Sequence, residues 1–353
     1  MIRSFINLIL CSVTFIIFTI NFVNCQSRIG NLTDPGQFPV IKNNLSINFP
    51  ADHGSHNEYR IEWWYLTANL KDENGNALGL QWTLFRAALE PENNKNNWES
   101  SQIWMGHAAI TDKDFHLTEE KMARGGVLQA GVITEPFEAW IDDWYLKGSD
   151  WKNLTVAAKG RSFAYNLKLT ARGPIIKHGR EGFSKKSTSE QASAYYSQPF
   201  FIARGWVEQN GQRQSVKGTA WADHEWSSQF IADTQEGWDW FSLNFDTGEK
   251  LMLFQVREKD KNHFYSGTWI DTDGKYQPVD VSQIVIESVG PKPSKGYFTN
   301  WIIKIPNLNL DIKIKALNPL SEMNTTYPYW EGPISFNGTH VGNGYLEMTG
   351  YKN

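Results

Sequence analysis

Cysteine is nearly absent from this chain of 353 residues. The sequence contains two, Cys11 and Cys25, and both lie within the first 25 residues. A chain that is cut after Cys25 has no thiol for a disulfide bond or for nucleophilic catalysis. The sequence therefore excludes a disulfide-stapled miniprotein and a cysteine-dependent enzyme, and the fold must be stabilised by its core.

Charge of one sign and long apolar runs are also scarce. The chain has 34 Lys and Arg against 38 Asp and Glu, a formal net charge of −4 and no basic block, so nucleic acid is not expected as a partner. Hydrophobic residues make up 41% and charged residues 20%, which is typical of a folded chain. A long apolar run occurs only at residues 5–23, so a multispan membrane protein is excluded.

The apolar run at residues 5–23 has the form of a secretory signal. Arg3 gives it a positive charge, and polar residues follow from Gln26 onward. We predict that residues 1–25 are a signal peptide, that cleavage occurs near Cys25, and that no stable membrane span remains. The prediction is an exported protein, periplasmic or secreted. A retained membrane anchor and a lipidated Cys25 are the alternatives.

Short runs of alternating apolar and polar residues, separated by turns, cover the chain from Asn44 onward. Glu-Asn-Gly at 73–75 and Asp-Thr-Gly at 246–248 are typical of hairpin turns. Only residues 117–124, with Thr118 as a cap, are predicted to be helical. We therefore expect an all-β protein built of antiparallel barrels or sandwiches. Strands are predicted at 64–70, 78–85, 166–170, 251–256, 263–270, 281–289, 301–305 and 308–314.

A weak internal repeat indicates two domains. Residues 63–70 and residues 238–245 are both aromatic-rich strands, and each leads through a tight turn into a strand that closes on Phe and Arg. Each copy is long enough for one barrel, so we predict an N-terminal domain at 46–230 and a C-terminal domain at 231–353, with the boundary near residues 227–237. A chance match between two aromatic hairpins is the alternative.

The polar segment at residues 179–198 is rich in Ser and Lys and has no clear periodicity. We predict a long surface loop there.

Aromatic residues are abundant, with 16 Trp, 13 Tyr and 20 Phe, or 14% of the chain. Such side chains suit both cores and the walls of lipophilic pockets. They occur beside charged residues in four clusters, at 62–65, at 221–226, at 238–240, and at 329–332 together with 344–351.

The cluster at 221–226 carries the candidate catalytic residues. In an extended strand, Asp223 and Glu225 share one face with Trp221, while His224 and Trp226 share the other. If the carboxyl face is dry, repulsion and burial raise one pKa and leave a neutral acid beside an anionic base. His224 could relay or supply the proton. In the structural alternative the imidazole is satisfied in the core and the carboxylates pair with Arg86, Arg124 or Arg257.

A metal site is a further hypothesis. His53 and His56 have the spacing of metal ligands, and Asp52, Glu58 and His107 could complete a set. Histidines beside Gly and Ser are common in loops that bind no metal, so neither a metal nor another cofactor is predicted. The chain has no Gly-x-Ser-x-Gly elbow, no His-Glu-x-x-His and no phosphate-binding Gly-rich loop, so conventional esterase, zincin and nucleotide-dependent activities are not expected.

Several long motifs together resemble the AttH-like and carotenoid 1,2-hydratase family. The resemblance covers residues 46 to 353 and implies two tandem lipocalin-like β-barrels, in agreement with the repeat. The motifs that carry it are FPADHGSH at 49–56, EWWYLT at 62–67, WMGHAA at 104–109, WADHEW at 221–226, YWEG at 329–332 and GYLEMTGY at 344–351.

The resemblance also implies a chemistry. Carotenoid hydratases add water to a terminal isoprenoid double bond without a redox cofactor, and His224 and Trp226 fall on the family's His-x-Trp pair for proton delivery and cation stabilisation. The family's acidic and tyrosine positions are expected on the following strands. Here the clear strand at 251–256 contains Gln255 and neither Asp nor Tyr, although Asp239 or Asp223 could substitute.

We predict a two-barrel protein that encloses a small lipophilic molecule, isoprenoid-like or polyketide-like. The first hypothesis is an enzyme that hydrates an alkene, or rearranges it by acid catalysis, with Asp223, His224 or Glu225 as its proton donor. The second is a non-catalytic carrier, and the third is a metal-assisted hydrolase that uses His53 and His56 with His107. No feature of the sequence indicates an oligomeric state. The predicted ligand-binding residues are Trp63, Trp64, Tyr65, Trp226, Trp238 and Trp240.

Overall fold

The computed structural model describes residues 38–91, 100–229, 231–292 and 296–351. The predicted signal peptide at residues 1–25 lies outside these ranges. Two antiparallel β-sheets and two short 3-10 helices, Ala51–His53 and Pro306–Leu308, provide the regular structure within them. The predicted all-β class is confirmed. No helix in the described ranges is long and apolar enough to span a membrane.

The first sheet forms a nearly closed barrel, called the barrel below. Its thirteen strands are β1 Ile61–Asp72, β2 Ala77–Ala88, β3 Gln102–Thr111, β4 His116–Arg124, β5 Ala130–Thr134, β6 Phe137–Ile141, β7 Trp144–Asp150, β8 Asn153–Lys159, β9 Phe163–Ala171, β10 Ile176–Lys177, β11 Phe183–Lys185, β12 Ala192–Gln209 and β13 Gln212–Ser227. The strand order is β4-β3-β2-β1-β13-β12-β9-β8-β7-β6-β5, and β10 and β11 pair with β12.

The second sheet forms a half-barrel. Its ten strands are β14 Gln235–Phe245, β15 Lys250–Glu258, β16 Phe264–Ile270, β17 Tyr276–Pro278, β18 Val285–Ser288, β19 Asn300–Ile305, β20 Leu310–Ala316, β21 Glu322–Met323, β22 Tyr329–Gly338 and β23 Gly342–Met348. The strand order is β17-β16-β15-β14-β23-β22-β20-β19-β18, with β21 on β22.

Alternation of apolar and polar residues decides which face of each outer strand is buried. In β20, Leu310, Ile312 and Ile314 are buried, while the intervening Asp311 and Lys313 are exposed, because successive side chains point to opposite faces. Each sheet has its own core. The barrel core contains Trp64, Leu66, Trp82, Leu84 and Trp226, and the half-barrel core contains Phe241, Leu253, Trp301, Ile312 and Trp330.

The central strands of the two sheets also pack against each other. Tyr65, Tyr195 and Trp221 of the barrel form one cluster with Trp240 and Phe254 of the half-barrel. The last eight residues of β13 are therefore buried on both faces. We call this contact between the outer faces of the two sheets the interface.

Gly79 on β2 is a point of close approach at the interface. A Cβ atom there would lie 2.5 Å from Cγ of Pro333 and 2.7 Å from the Tyr345 hydroxyl oxygen. We expect Gly79→Leu to push the sheets apart and to lower the free energy of unfolding by about 1–3 kcal/mol. Urea denaturation measures the change, with Ala77→Leu at an exposed position of the same strand as the control. Equal stability of the two variants would contradict this packing.

Two local predictions are wrong. Residues 117–124 form strand β4 rather than a helix, because β3 pairs with them along their whole length and these pairings override the cap-like Thr118. The segment at 179–198 is not a surface loop, since it contains β11 and the beginning of β12. Tyr195 and Tyr196 are fully buried there, one at the interface and the other in the barrel core.

Candidate active site at the interface

Strand β13 presents the predicted catalytic residues on two opposite faces. Trp221 and Asp223 lie at the interface, whereas His224 and Trp226 point into the barrel. All six residues from 221 to 226 are at most 5% exposed. The sheet thus separates Asp223 from His224, and the two cannot act on the same atom of one ligand.

Asp223 is held at the interface by three uncharged donors. Trp221 Nε1 donates to Oδ1 at 2.6 Å, the Tyr195 hydroxyl donates to Oδ2 at 2.7 Å, and the Ser197 hydroxyl donates to Oδ1. Burial, together with the nearby charge of Glu225, raises the pKa of Asp223 to about 7, although the three donors oppose the shift. This carboxyl therefore exchanges a proton near neutral pH.

Aromatic rings surround this acid from both sheets. Trp240 Nε1 donates to the Tyr195 hydroxyl at 3.1 Å. The edges and faces of Tyr65 and Trp221 approach Trp240, with ring centroids 5.4 Å and 6.4 Å away. Trp63 and Trp238, which are partly exposed, pack against the same cluster. Four of the six predicted ligand-binding residues thus lie together at the interface: Trp63, Tyr65, Trp238 and Trp240.

Two carboxyls of the half-barrel face the same region. Glu347 accepts a hydrogen bond of 2.6 Å from Trp238 Nε1, and burial with the repulsion of Glu225 raises its pKa to about 7. Glu331, its cross-strand neighbour, accepts a hydrogen bond from the Tyr65 hydroxyl, and burial raises its pKa well above the usual range. Neither glutamate is among the predicted acids, because their common position at the interface depends on the pairing of β22 with β23 and on the packing of the half-barrel against the barrel.

Lysine, rather than arginine, neutralises Glu225. Its carboxylate lies 2.7 Å from Lys186 Nζ and accepts a hydrogen bond from the Ser193 hydroxyl. The Lys186 ammonium also lies 4.4 Å from the centre of the Phe254 ring, a favourable cation–π contact. Arg86 and Arg257 pair elsewhere, with Glu62 and Asp239.

The raised pKa of Asp223 predicts a pH-dependent effect on stability. Because the folded state binds the proton more tightly than the unfolded chain, the stability from this group is complete below its ordinary pKa of 3.8 and is lost as the pH rises to about 7. Asp223→Asn cannot ionise. Between pH 3.8 and about 7, we therefore expect its free energy of unfolding to rise relative to that of the wild type by on the order of 1.4 kcal/mol per pH unit. Urea denaturation at several pH values measures this. A constant difference between the two proteins would contradict it.

Inside the barrel, His224 belongs to a second polar group. Its Nε2 lies 2.9 Å from Glu62 Oε1, and its Nδ1 lies 2.9 Å from the Tyr196 hydroxyl. Glu62 also pairs with Arg86 at 2.8 Å and with His56 at 2.7 Å. Burial lowers the pKa of His224, whereas Arg86 and the imidazoles hold the pKa of Glu62 far below its usual range despite its burial. A neutral His224 thus has partners for both ring nitrogens.

The remaining predicted ligand-binding residues belong to this inner group. Trp226 stacks on His56 with ring centroids 3.8 Å apart, and Trp64 stacks on His224 at 4.6 Å. Both tryptophans are part of the barrel core. A molecule that contacts Trp240 at the interface therefore cannot contact Trp64 or Trp226 without passing through the sheet.

The structure does not assemble the predicted set of His53, His56 and His107. Nδ1 of His53 lies 2.7 Å from the Tyr196 hydroxyl. His107 is hydrogen-bonded through Nδ1 to the Tyr329 hydroxyl of the half-barrel at 2.9 Å and through Nε2 to Glu120 Oε1 at 3.1 Å. In the described ranges, these three imidazoles do not converge into a metal-binding group.

Comparison with known proteins gives a family and a fold. The model of the AttH-like family matches residues 40–351. A crystal structure described as an AttH from Nitrosomonas europaea is 30% identical, with a TM-score of 0.81 over 90% of this chain and 100% of that one. Kievitone hydratase from Nectria haematococca shares the fold at 14% identity, with a TM-score of 0.62 over 90% of this chain and 98% of that one. No curated protein matches. This chain, with its acids buried between barrel and half-barrel, belongs to the AttH-like family.

Proposed function

We propose that this protein is a hydratase-like enzyme that adds water to a carbon–carbon double bond of a lipophilic, isoprenoid-like or polyketide-like molecule at the interface. The observation that carries the proposal is Asp223, a buried carboxyl with a pKa of about 7 beside the rings of Trp221 and Trp240. An acid whose pKa lies near the working pH is suited to proton transfer. The fold shared with kievitone hydratase supports the same reaction class.

The proposed reaction has two proton transfers and no redox step. Neutral Asp223 gives its proton to one alkene carbon, and the cation that forms on the other carbon is stabilised by the faces of Trp240 and Tyr65. Water attacks this carbon, and an ionised Glu347 takes the proton that the water releases. The net change is the addition of H and OH across the double bond. Proton exchange with solvent then returns both carboxyls to their starting states.

Turnover by the wild-type protein is the first test. The purified chain is incubated with kievitone or with an acyclic carotenoid in ¹⁸O-labelled water, without nicotinamide, flavin or other redox cofactor. We expect a product that has gained one labelled water molecule. Turnover that requires an added oxidant or reductant, or no turnover of any prenyl-type alkene offered, would refute the hydratase assignment.

A non-catalytic carrier is the second candidate. Both oxygens of Asp223 already accept hydrogen bonds, from Tyr195, Ser197 and Trp221. In a carrier, these hydrogen bonds would serve to join the strands, and the carboxyl would transfer no proton. A carrier would copurify with a lipophilic molecule and release it chemically unchanged. Mass spectrometry of the solvent extract, before and after prolonged incubation, distinguishes the two functions.

Export is part of the proposal. The apolar run at residues 5–23 followed by Gln26 supports it. We expect the mature protein to begin close to Gln26 and to be recovered outside the cytoplasm. Amino-terminal sequencing of the processed protein measures this, and an intact Met1 would contradict it.

A further inference from the structure

Three side chains inside the barrel place one possible metal-coordinating atom each close together. His56 Nδ1, Glu62 Oε1 and His224 Nε2 all lie within 4.8 Å of one another, and Oε1 is 2.7 Å and 2.9 Å from the two nitrogens. We propose that these three residues bind a divalent transition metal ion of the Zn²⁺ class. Two imidazole nitrogens and one carboxylate oxygen are a donor set that Zn²⁺ takes in proteins.

Each proposed ligand also has a partner for the atom that would not bind the ion. His56 Nε2 lies 3.2 Å from the Asp52 carboxylate, and His224 Nδ1 lies 3.1 Å from the main-chain oxygen of Asp52. Arg86 Nε donates to the second oxygen of Glu62 at 2.8 Å. Imidazoles that bind metals typically have a carboxylate or carbonyl partner on the other nitrogen, because it sets the tautomer and the ring orientation. The three proposed ligands therefore have the hydrogen-bond partners that orient the ligands of a metal site.

Tryptophan stacking fixes both imidazole planes. The ring of Trp226 is 7° from parallel with His56, and the ring of Trp64 is 21° from parallel with His224. The ligand positions are thus set by packing before an ion arrives. The His224 and Glu62 side chains are fully buried, whereas 13% of the His56 side chain is exposed. An ion would enter beside His56.

Binding of the ion would release one proton to solvent and move a second one between the ring nitrogens of His224. The proton between His56 Nδ1 and Glu62 leaves to solvent, and the His224 proton moves from Nε2 to Nδ1, where the main-chain oxygen of Asp52 accepts it. Metal–ligand bonds of about 2.0–2.1 Å in a tetrahedral site require Glu62 Oε1 to lie about 0.5 Å farther from each of the two nitrogens than it does now. The required change is therefore small.

The proposed metal site lies inside the barrel, whereas Asp223, the proposed acid for hydration, lies at the interface. His224 lies on the opposite face of β13 from Asp223, so the metal site does not depend on the proposed function. The ion would tie residues 52–56, which carry the first ligand, to β1 and β13. We therefore expect it to hold this segment over the barrel interior.

Metal titration of the full chain tests the site. Protein freed of metal by a chelator is titrated with Zn²⁺ against a chromophoric competitor, and with Co²⁺ as a spectroscopic probe. We expect one ion per chain. His56→Gln and His224→Gln should each weaken Zn²⁺ binding by more than about 100-fold, and Asp52→Asn by about 10-fold, since outer partners are worth about 10–100-fold. His107→Gln, at a buried imidazole outside the set, should bind as the wild type does.

Two results would overturn the site. The first is wild-type protein that does not take up one Zn²⁺ per chain, and the second is undiminished binding by the double variant His56→Gln/His224→Gln. X-ray absorption of the wild-type Zn²⁺ form decides the matter even if the variants do not fold. Two imidazole ligands are expected, and a first shell without imidazole refutes the proposal. Hydration activity is measured separately, so either proposal can fail alone.

Discussion

Asp223→Asn will slow hydration by about 10²–10⁴-fold, the usual contribution of a general acid. Asparagine has nearly the same shape, and its amide oxygen can still accept hydrogen bonds from Trp221 and Ser197. Its NH2 group replaces the oxygen that accepts from Tyr195, and it has no acidic proton to give. The loss should therefore appear in the chemical step rather than in substrate binding. Single-turnover kinetics with ¹⁸O-labelled water measure the rate, and ligand binding by fluorescence of the interface tryptophans measures the affinity.

A matched substitution separates this effect from general damage. Asp72 is the last residue of β1, and its side chain accepts hydrogen bonds from Asn74 and Asn76 in the turn that follows. Asp72→Asn should therefore leave the hydration rate unchanged. The inner His224 is the competing proton donor implied by the family resemblance. If Asp223→Asn keeps most of the wild-type rate while His224→Gln loses it, the acid lies inside the barrel and the interface assignment is wrong.

Arg86→Met will lower the free energy of unfolding by about 3–5 kcal/mol, the usual cost of removing one partner of a buried ion pair. The side chains of Arg86 and Glu62 are both fully buried, and Nε lies 2.8 Å from the carboxylate. Arg86 also donates to the main-chain oxygens of His56 and Tyr59. Methionine would leave a buried charge and two main-chain acceptors without this partner. Urea denaturation followed by tryptophan fluorescence measures the loss.

The chain provides a control with the same pair geometry at the surface. Arg161 Nε lies 2.8 Å from Glu119, but the Arg161 side chain is 91% exposed. Water and salt screen such a pair, so Arg161→Met should change stability little. Equal losses of stability in the two variants would contradict the expectation that the buried Arg86–Glu62 pair matters more than the exposed Arg161–Glu119 pair. The double variant Arg86→Met/Glu62→Gln should recover part of the loss, since the buried carboxylate is removed together with its guanidinium partner.

The sequence is sufficient to predict several strands, among them β1, β2, β15 and β20, and the two faces of β13. Alternation within Trp221–Trp226 places Asp223 and His224 on opposite sides wherever the strand lies, because the side-chain period of a strand is two residues. The same argument predicts a raised pKa for one carboxyl once its face is buried, and Asp223 has it. These features depend only on local geometry.

Features that depend on distant pairing could not be predicted. The polar composition of residues 179–198 indicated a loop, but Ser193 and Ser197 are buried because they donate to Glu225 and Asp223 of the neighbouring strand. Nothing local to that segment shows that β13 lies beside it. Residues 117–124 are a different case, because their partner β3 directly precedes them and the two strands form a hairpin. The cap-like Thr118 favours a helix there, and the pairing with β3 overrides it.

The set of residues that forms each site could not be predicted either, because these residues meet only through strand pairing and sheet packing. Glu331 and Glu347 reach the interface only because β22 and β23 pair and the half-barrel packs on the barrel. His56 and Glu62 were each visible in a motif, yet their convergence with His224 depends on the pairing of β1 with β13. Residue types and faces were therefore predictable, whereas partners across sheets were not.

Direct titration of Asp223 tests the central claim, that an acid is kept protonated between the two sheets near neutral pH. Infrared difference spectra of the wild type and Asp223→Asn, recorded across the pH range with ¹³C-labelled aspartate, isolate the carboxyl signal of this residue. We predict a band from the protonated carboxyl that disappears with a midpoint of about pH 7. A carboxyl that is already ionised near its ordinary pKa of 3.8 would contradict it.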